Sequence, residues 1–400
     1  MDLTHRFTQL DDFLTRHQAL WRDSPFCFPQ LQWQSELPEL SAALLALDDD
    51  AVAVLDQDDA KLVEFLTLYL PIVNAIRDAV QLPAWPDVID ALPERLAPDV
   101  PGRKWRQVNH FIAGLTRENQ TWLDWCAGKS HLGRAILLRH RGAKLFAVER
   151  DNALCEQGAQ AAAKQKLDIE FICADVLRDT PSLPRIDQAC ALHACGDLHI
   201  ELIRQVVANN IPALSLAPCC YHLTAESIYQ PLSQCAQRST LRLSRSELHL
   251  AVEETITSSP RIQKQRDTLM QWRLAFDGWQ RQRRGVDQYL VMPSRPYSVI
   301  AKGFECFVDE MCQHHQLPPP SPIDHAQWQQ YGQQRWRAVQ RLQLLRHAFR
   351  RALELWLVCD RALWLAEHDY QVGLYQFCPR QLTPRNMLIE ARKTRTVYGN

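Results

Sequence analysis

At 400 residues the chain is too long for one small core, which points to two or three domains or one domain with large additions. Its 46% apolar and 23% charged residues are those of a soluble globular protein, and no apolar run approaches the roughly 20 residues of a membrane helix, so no membrane partner is expected. The net charge of −1 conceals an asymmetry: residues 1–100 hold 6 Lys/Arg against 18 Asp/Glu, and residues 261–302 hold 9 against 3. Such polarity marks a polyanion-binding surface, or an acidic region that is solvated or faces the basic one.

The N-terminus, MDLTHRFTQLDDFL, carries acids where a secretory leader needs a basic start and an apolar stretch. The thirteen cysteines lack the paired spacings of a disulfide scaffold, so a reducing, cytoplasmic location is expected. Apolar residues three and four apart in LDDFLTRHQALW, LPELSAALLALDDDAVAVL and AKLVEFLTLYLPIVNAIRDAV predict an acidic helical N-terminal domain over 1–100. Prolines 83, 86, 93, 98 and 101 end that pattern, and GRKWRQVNHFIAGL follows as a short amphipathic helix.

From 121 to 223 strand and helix alternate, which predicts an α/β, Rossmann-like parallel sheet with crossover helices as the core of a domain over 101–223. After the strand opening at Thr121, the expected strands are KLFAVER (144–150), DIEFICAD (168–175), IDQACALHACGD (186–197) and IPALSLAPCCYH (211–222). Residues 224–400 read as a mainly helical region with the basic segment and a Pro-rich linker at 317–322. DQYLVMPSRPYSVIAKGF predicts two short strands around a turn, QQRWRAVQRLQLLRHAFRRALELWLVCDRALWLAE one long helix, and 385–393 a late strand completing the sheet.

Ligands of such sheets sit at the carboxyl ends of the strands. The first strand ends in Asp124 and a small-residue turn, Cys126-Ala127-Gly128-Lys129-Ser130-His131-Leu132, which lets backbone N–H groups approach a ligand; Asp124 either orients that turn or meets a ligand ammonium. The second ends in Glu149, suited to two ribose hydroxyls, and the third in Asp175, suited to an adenine amino group. A lone acid after a strand is more often a helix cap, but three at intervals of 25 and 26 residues favour a nucleoside. A dinucleotide dehydrogenase would want G-x-G-x-x-G, whereas Gly128 is the only glycine between Gly114 and Gly133. A P-loop would need glycine at 123, which is leucine.

The fourth and fifth strands end in His193-Ala194-Cys195-Gly196-Asp197 and Cys219-Cys220-Tyr221-His222. A histidine there suits a general base, a thiolate a nucleophile, and Tyr221 a base-stacking surface. The alternative is that the cysteines are small buried hydrophobes. Their spacing matches no usual structural zinc site, so no metal is expected.

The strings WLDWCAGKSHLGR, ALHACGDLH and APCCYH, in that order, resemble a family of S-adenosylmethionine (SAM) dependent methyltransferases. That family includes the glutathione S-transferase C-terminal domain-containing protein and the ribosomal RNA adenine dimethylase domain-containing methyltransferase-like proteins. The resemblance extends over about 101–400 and implies SAM as cofactor, held by Asp124, Cys126, Ala127, Gly128, Lys129, His131, Leu132, Glu149, Arg150, Asp175, Val176 and His193. His193, Cys219, Cys220, Tyr221 and His222 would then line the acceptor side as catalytic candidates. A fainter likeness to the tRNA ribose 2′-O-methyltransferases implies RNA, tRNA or rRNA, met through basic residues 261–302. An Asn-Pro-Pro-Tyr type motif is missing after the fourth strand, so methylation of a base amino group is not supported. Alternatives are methylation of a protein or small molecule, or a non-catalytic SAM-fold binding protein. The latter would follow if Ser130, standing where the family has glycine, spoils the turn.

Overall fold

The computed structural model describes residues 2–115, 120–179, 181–253, 259–318, 320 and 322–394. Two compact units divide the chain: residues 1–16, 78–254 and 350–400 form one, and residues 17–77 and 255–349 the other. The acidic first hundred residues therefore contribute to both, and so does the region after 223.

The first unit is built on a seven-stranded sheet of β1 (Thr121–Trp125), β2 (Lys144–Glu149), β3 (Ile169–Cys173), β4 (Gln188–Cys195), β5 (Ala213–Cys219), β6 (Tyr370–Gln376) and β7 (Met387–Lys393). Their order is β3-β2-β1-β4-β5-β7-β6, with β7 antiparallel to both neighbours. This is the mixed α/β, Rossmann-like arrangement expected, and the late strand does complete the sheet. β5 is buried along its whole length and β1 nearly so, as strands covered on both faces must be. Strand order reverses between β1 and β4, the point at whose carboxyl ends sheets of this kind form a crevice.

Crossover helices His131–Arg139, Asn152–Lys164 and Asp197–Ala208 follow β1, β2 and β4. Helix Gly102–Ile112 buries Trp105, Val108, Phe111 and Ile112 in the same core as Trp122 and Leu145. β6 follows helix Arg350–Ala366 and was not expected from the sequence. Helix Leu3–Arg16 packs on Arg350–Ala366, with the rings of Phe7 and Trp356 5.2 Å apart and Trp356 Nε1 donating to Asp11 at 2.8 Å. That contact places residues 1–16 in this unit.

The second unit is helical. Helices Pro260–Arg284 and Pro322–His347 lie side by side, and Gly278 and Gly332 permit the approach: a Cβ on Gly278 would meet the Tyr331 ring at 2.2 Å, and one on Gly332 the Gln271 carbonyl at 2.2 Å. Asp48 and Asp58 cap helices Asp49–Gln57 and Asp59–Thr67, accepting from Ala51 N and from Ala60 and Lys61 N.

Two expectations fail. The segment DQYLVMPSRPYSVIAKGF forms no strands but an irregular stretch and a 3₁₀ helix, Tyr297–Lys302. Pro293 and Pro296 remove ladder donors, and the carbonyls of Gln288 and Met292 are taken by the Gln280 amide (2.9 Å) and the Arg273 guanidinium (3.1 Å). The one long helix is two, Pro322–His347 and Arg350–Ala366, whose apolar faces belong to different units. The Pro-rich linker at 317–322 lies partly outside the described residues. Among the described residues no helix is long and apolar enough to cross a membrane.

Candidate functional site

The turn after β1 is held by an internal hydrogen-bond set. Asp124, 2% exposed, accepts through Oδ2 from Ser130 Oγ at 2.7 Å and from Gly133 N at 3.1 Å. These two bonds tie Asp124 into the turn. Burial pushes its carboxyl up to about 6, against those two donors, which lower it. Ser130 is left-handed (φ 51°), as are Cys126 (55°) and Gly128 (57°). The serine's hydroxyl bond to Asp124 offsets the backbone cost of the position. Glycine is required at 133, where a Cβ would meet Ser130 Oγ at 2.2 Å.

Above Gly128 the space is open: apart from the glycine and its two chain neighbours, no heavy atom lies within 4 Å of where a Cβ would stand. Its N–H donates to Glu149 Oε2 at 2.9 Å, while Glu149 Oε1 accepts from the N–H groups of Arg150 (2.9 Å) and Asp151 (3.0 Å). One hydrogen bond thereby joins the turn after β1 to the acid after β2. Leu132 and Val176 are buried, Cys126, Ala127 and Lys129 are half-buried, and Arg150 is exposed. Burial first, then Glu149 and Asp124, push the Cys126 thiol up to about 12, so it stays protonated. Asp175 accepts from Leu177 N at 3.2 Å and pairs with Arg178 at 3.7 Å, the local turn role that a lone acid after a strand commonly has.

His131 Nδ1 lies 2.6 Å from Arg134 Nη2, which also reaches Asp99 at 3.1 Å. An arginine only donates, so Nδ1 accepts. Burial, then Lys104 and Arg134, lower the His131 ring to about 4.

At the other side of the crevice three residues are left-handed: His193 (71°), Gly196 (56°) and Cys220 (47°). The β4–β5 register slips between Leu192 and Cys195, a bulge that re-aims the end of β4. His193 Nε2 lies 3.0 Å from Gln107 Oε1, and the Gln107 amide donates to Leu382 O at 2.7 Å. The ring therefore carries its proton on Nε2 and presents Nδ1 as a lone pair. Burial first, then Lys104 and Arg385, lower His193 to about 4. His222 lies with its ring 4.7 Å from His249, and burial followed by that neighbour lowers it too.

Tyr221 departs from the expected role on the acceptor side. It is 2% exposed, its hydroxyl reaches the Pro218 carbonyl at 3.5 Å, and Arg361 sits 5.0 Å over its ring. The structural reason is a buried network that sequence spacing does not show. Arg361 donates to His199 Nε2 (2.7 Å) and Tyr229 Oη (3.1 Å), Tyr229 donates to Asp360 (2.5 Å), and His199 Nδ1 meets Ala194 O at 3.0 Å. His199 of helix Asp197–Ala208, itself held by Arg361 of helix Arg350–Ala366, thus supports the bulge at Ala194. The Sγ atoms of Cys195, Cys219 and Cys220 lie within 4.8 Å of one another. Hydrogen bonds from Cys195 and Cys219 lower the Cys220 thiol, and the bonds with Cys195 and Cys220 raise Cys219.

Residues 103–227 match a family model described as a methyltransferase domain. The match spans β1 to β5 and every expected cofactor and catalytic residue. Among solved structures, the chain is similar to PKMT2 from Rickettsia typhi in complex with AdoHcy (11% identity, 24% of this chain and 20% of that one, TM-score 0.23). It is also similar to TrmN from Thermus thermophilus (18%, 27% and 36%, 0.24) and to a TehB-like SAM-dependent methyltransferase from Corynebacterium glutamicum (12%, 31% and 73%, 0.24). The matched part thus spans about a fifth of the Rickettsia protein. SAM is the cofactor of this domain, and the residues fit it: Glu149 is a carboxylate at the end of β2, and the face of Gly128 beside it is open.

Proposed function

We propose that the chain transfers a methyl group from SAM to an RNA, tRNA or rRNA, in the cytoplasm, as a member of the methyltransferase-like family its three strings resemble. The observation that carries the transferase reading is the hydrogen bond from Gly128 N to Glu149, which builds one cradle from two strand ends under an open face. SAM supplies an electrophilic methyl on a sulfonium, so the residues have mainly to align the acceptor. His193, neutral at pH 7, offers Nδ1 to a hydroxyl proton, which favours a ribose hydroxyl. Glu149 would orient the ribose of the cofactor, and Asp175 the adenine.

The RNA part rests on the basic segment, where Arg261, Lys264 and Arg283 are exposed. Phosphate contacts by these residues would weaken steeply with salt. Mass spectrometry of nucleosides in total RNA from cells with and without the gene tests it: one methylated nucleoside should disappear. A second reading, a protein or small-molecule acceptor, is favoured by the internal use of other cations of that segment. Arg281 pairs with Asp277 at 2.8 Å, and Arg295 and Lys302 with Glu310 at 3.2 and 3.3 Å. An unchanged nucleoside spectrum with S-adenosylhomocysteine still bound in calorimetry would select that reading. No binding at millimolar ligand would leave a non-catalytic module.

A further inference from the structure

We infer that Cys195, Cys219 and Cys220 form a site for zinc, held by three thiolates with the fourth coordination position open. Two backbone irregularities, one on each strand, bring the sulfurs together. Successive side chains of a strand point to opposite faces, so Cys219 and Cys220 should diverge. The left-handed backbone of Cys220 breaks that alternation, at a cost of about 1 kcal/mol for a non-glycine residue. On β4, the bulge between Leu192 and Cys195 sets Cys195 opposite Cys219, with Sγ to Sγ at 3.4 Å. Local strain that converges on a shared point is the mark of a site and not of core packing, in which each cysteine would follow its strand.

The spacing suits the ion. Zn–S bonds of about 2.3 Å in a tetrahedron put sulfurs about 3.8 Å apart. All three sulfurs already lie within 4.8 Å of one another and none is in a disulfide. Binding would form three Zn–S bonds and release to solvent whatever protons the three sulfurs still hold, leaving a net charge of −1. Among the described residues no histidine or carboxylate joins the cluster, so the set is the three-ligand, open kind used in catalysis, unlike a closed structural site. It stands on the same strand ends as His193.

The test uses the full chain, purified under reductant and titrated with Zn(II) against a chromophoric chelator, and in parallel with Co(II). We expect one Zn(II) per chain and a sulfur-to-cobalt charge-transfer band. C195S, C219S and C220S should each weaken Zn(II) by at least about 100-fold, since even residues behind a ligand cost 10–100-fold, whereas C235S and C306S should not. Binding of S-adenosylhomocysteine reports folding of each variant and is the separate readout for the methyltransferase reading. Wild type that takes up no more Zn(II) than the triple serine variant, with S-adenosylhomocysteine still bound, overturns the site. Should the triple variant not fold, the wild-type Co(II) spectrum decides alone, and absence of the sulfur band overturns the site.

Discussion

Ser130 holds a conformation that its own Cβ disfavours, and its hydroxyl secures the buried Asp124 carboxyl in return. Replacing it with alanine keeps the backbone cost and removes the bond, so S130A should lower unfolding free energy by about 1–3 kcal/mol in urea titrations. A variant as stable as wild type would sink that account. Gly128 separates stability from binding. Its positive φ makes G128A less stable by about 1 kcal/mol, but no neighbour clashes with the new methyl. Because that methyl enters the open face beside Glu149, calorimetry should find S-adenosylhomocysteine bound more than tenfold more weakly. Unaltered affinity would mean that the cofactor lies elsewhere. Both residues stood out in the sequence, Gly128 as a lone glycine and Ser130 as a departure from a family pattern. The hydroxyl's partner did not, because a hydrogen bond between residues six apart depends on the turn's actual dihedrals.

Elements were legible where hydrophobic periodicity was local and failed where long-range contacts set them. β1 to β5 follow from apolar runs at regular intervals. β6 contains Gly373 and two glutamines and is a strand because β7 pairs with it throughout. The end of β4 is likewise shaped from afar, by Arg361 of helix Arg350–Ala366 acting through His199 on Ala194. Arg361→Leu would leave His199 Nε2 and Tyr229 Oη without their donor in a buried site. Thermal and urea unfolding should show a loss of at least about 2 kcal/mol. A change below about 0.5 kcal/mol would show that the network is not a support.

Over the whole molecule, buried ionisable groups tie stability to pH in opposing senses. His193 is lowered from 6.5 to about 4, so between those values the folded chain holds fewer protons than the unfolded one. Its stabilising share is complete above pH 6.5 and drains as pH falls, by about 2 kcal/mol at pH 5, taking 1.36 kcal/mol per pKa unit. Asp124, raised from 3.8 to about 6, works the other way: its burial is unfavourable above pH 6 and is relieved on acidification. H193Q, which can keep a hydrogen bond to Gln107, should therefore lose about 2 kcal/mol less than wild type between pH 7 and pH 5. Equal losses would refute the assignment. By itself the sequence determined the α/β class, the sheet's first five strands and where the turn and the acids stand at their ends, because these rest on periodicity and short-range spacing. Only the tertiary structure decided that Tyr221 is buried, that residues 1–16 and 17–77 belong to different units, and that three cysteines from two strands share one point. Those outcomes depend on a bulge, a left-handed residue and partners more than a hundred positions away in the chain, which no local pattern encodes.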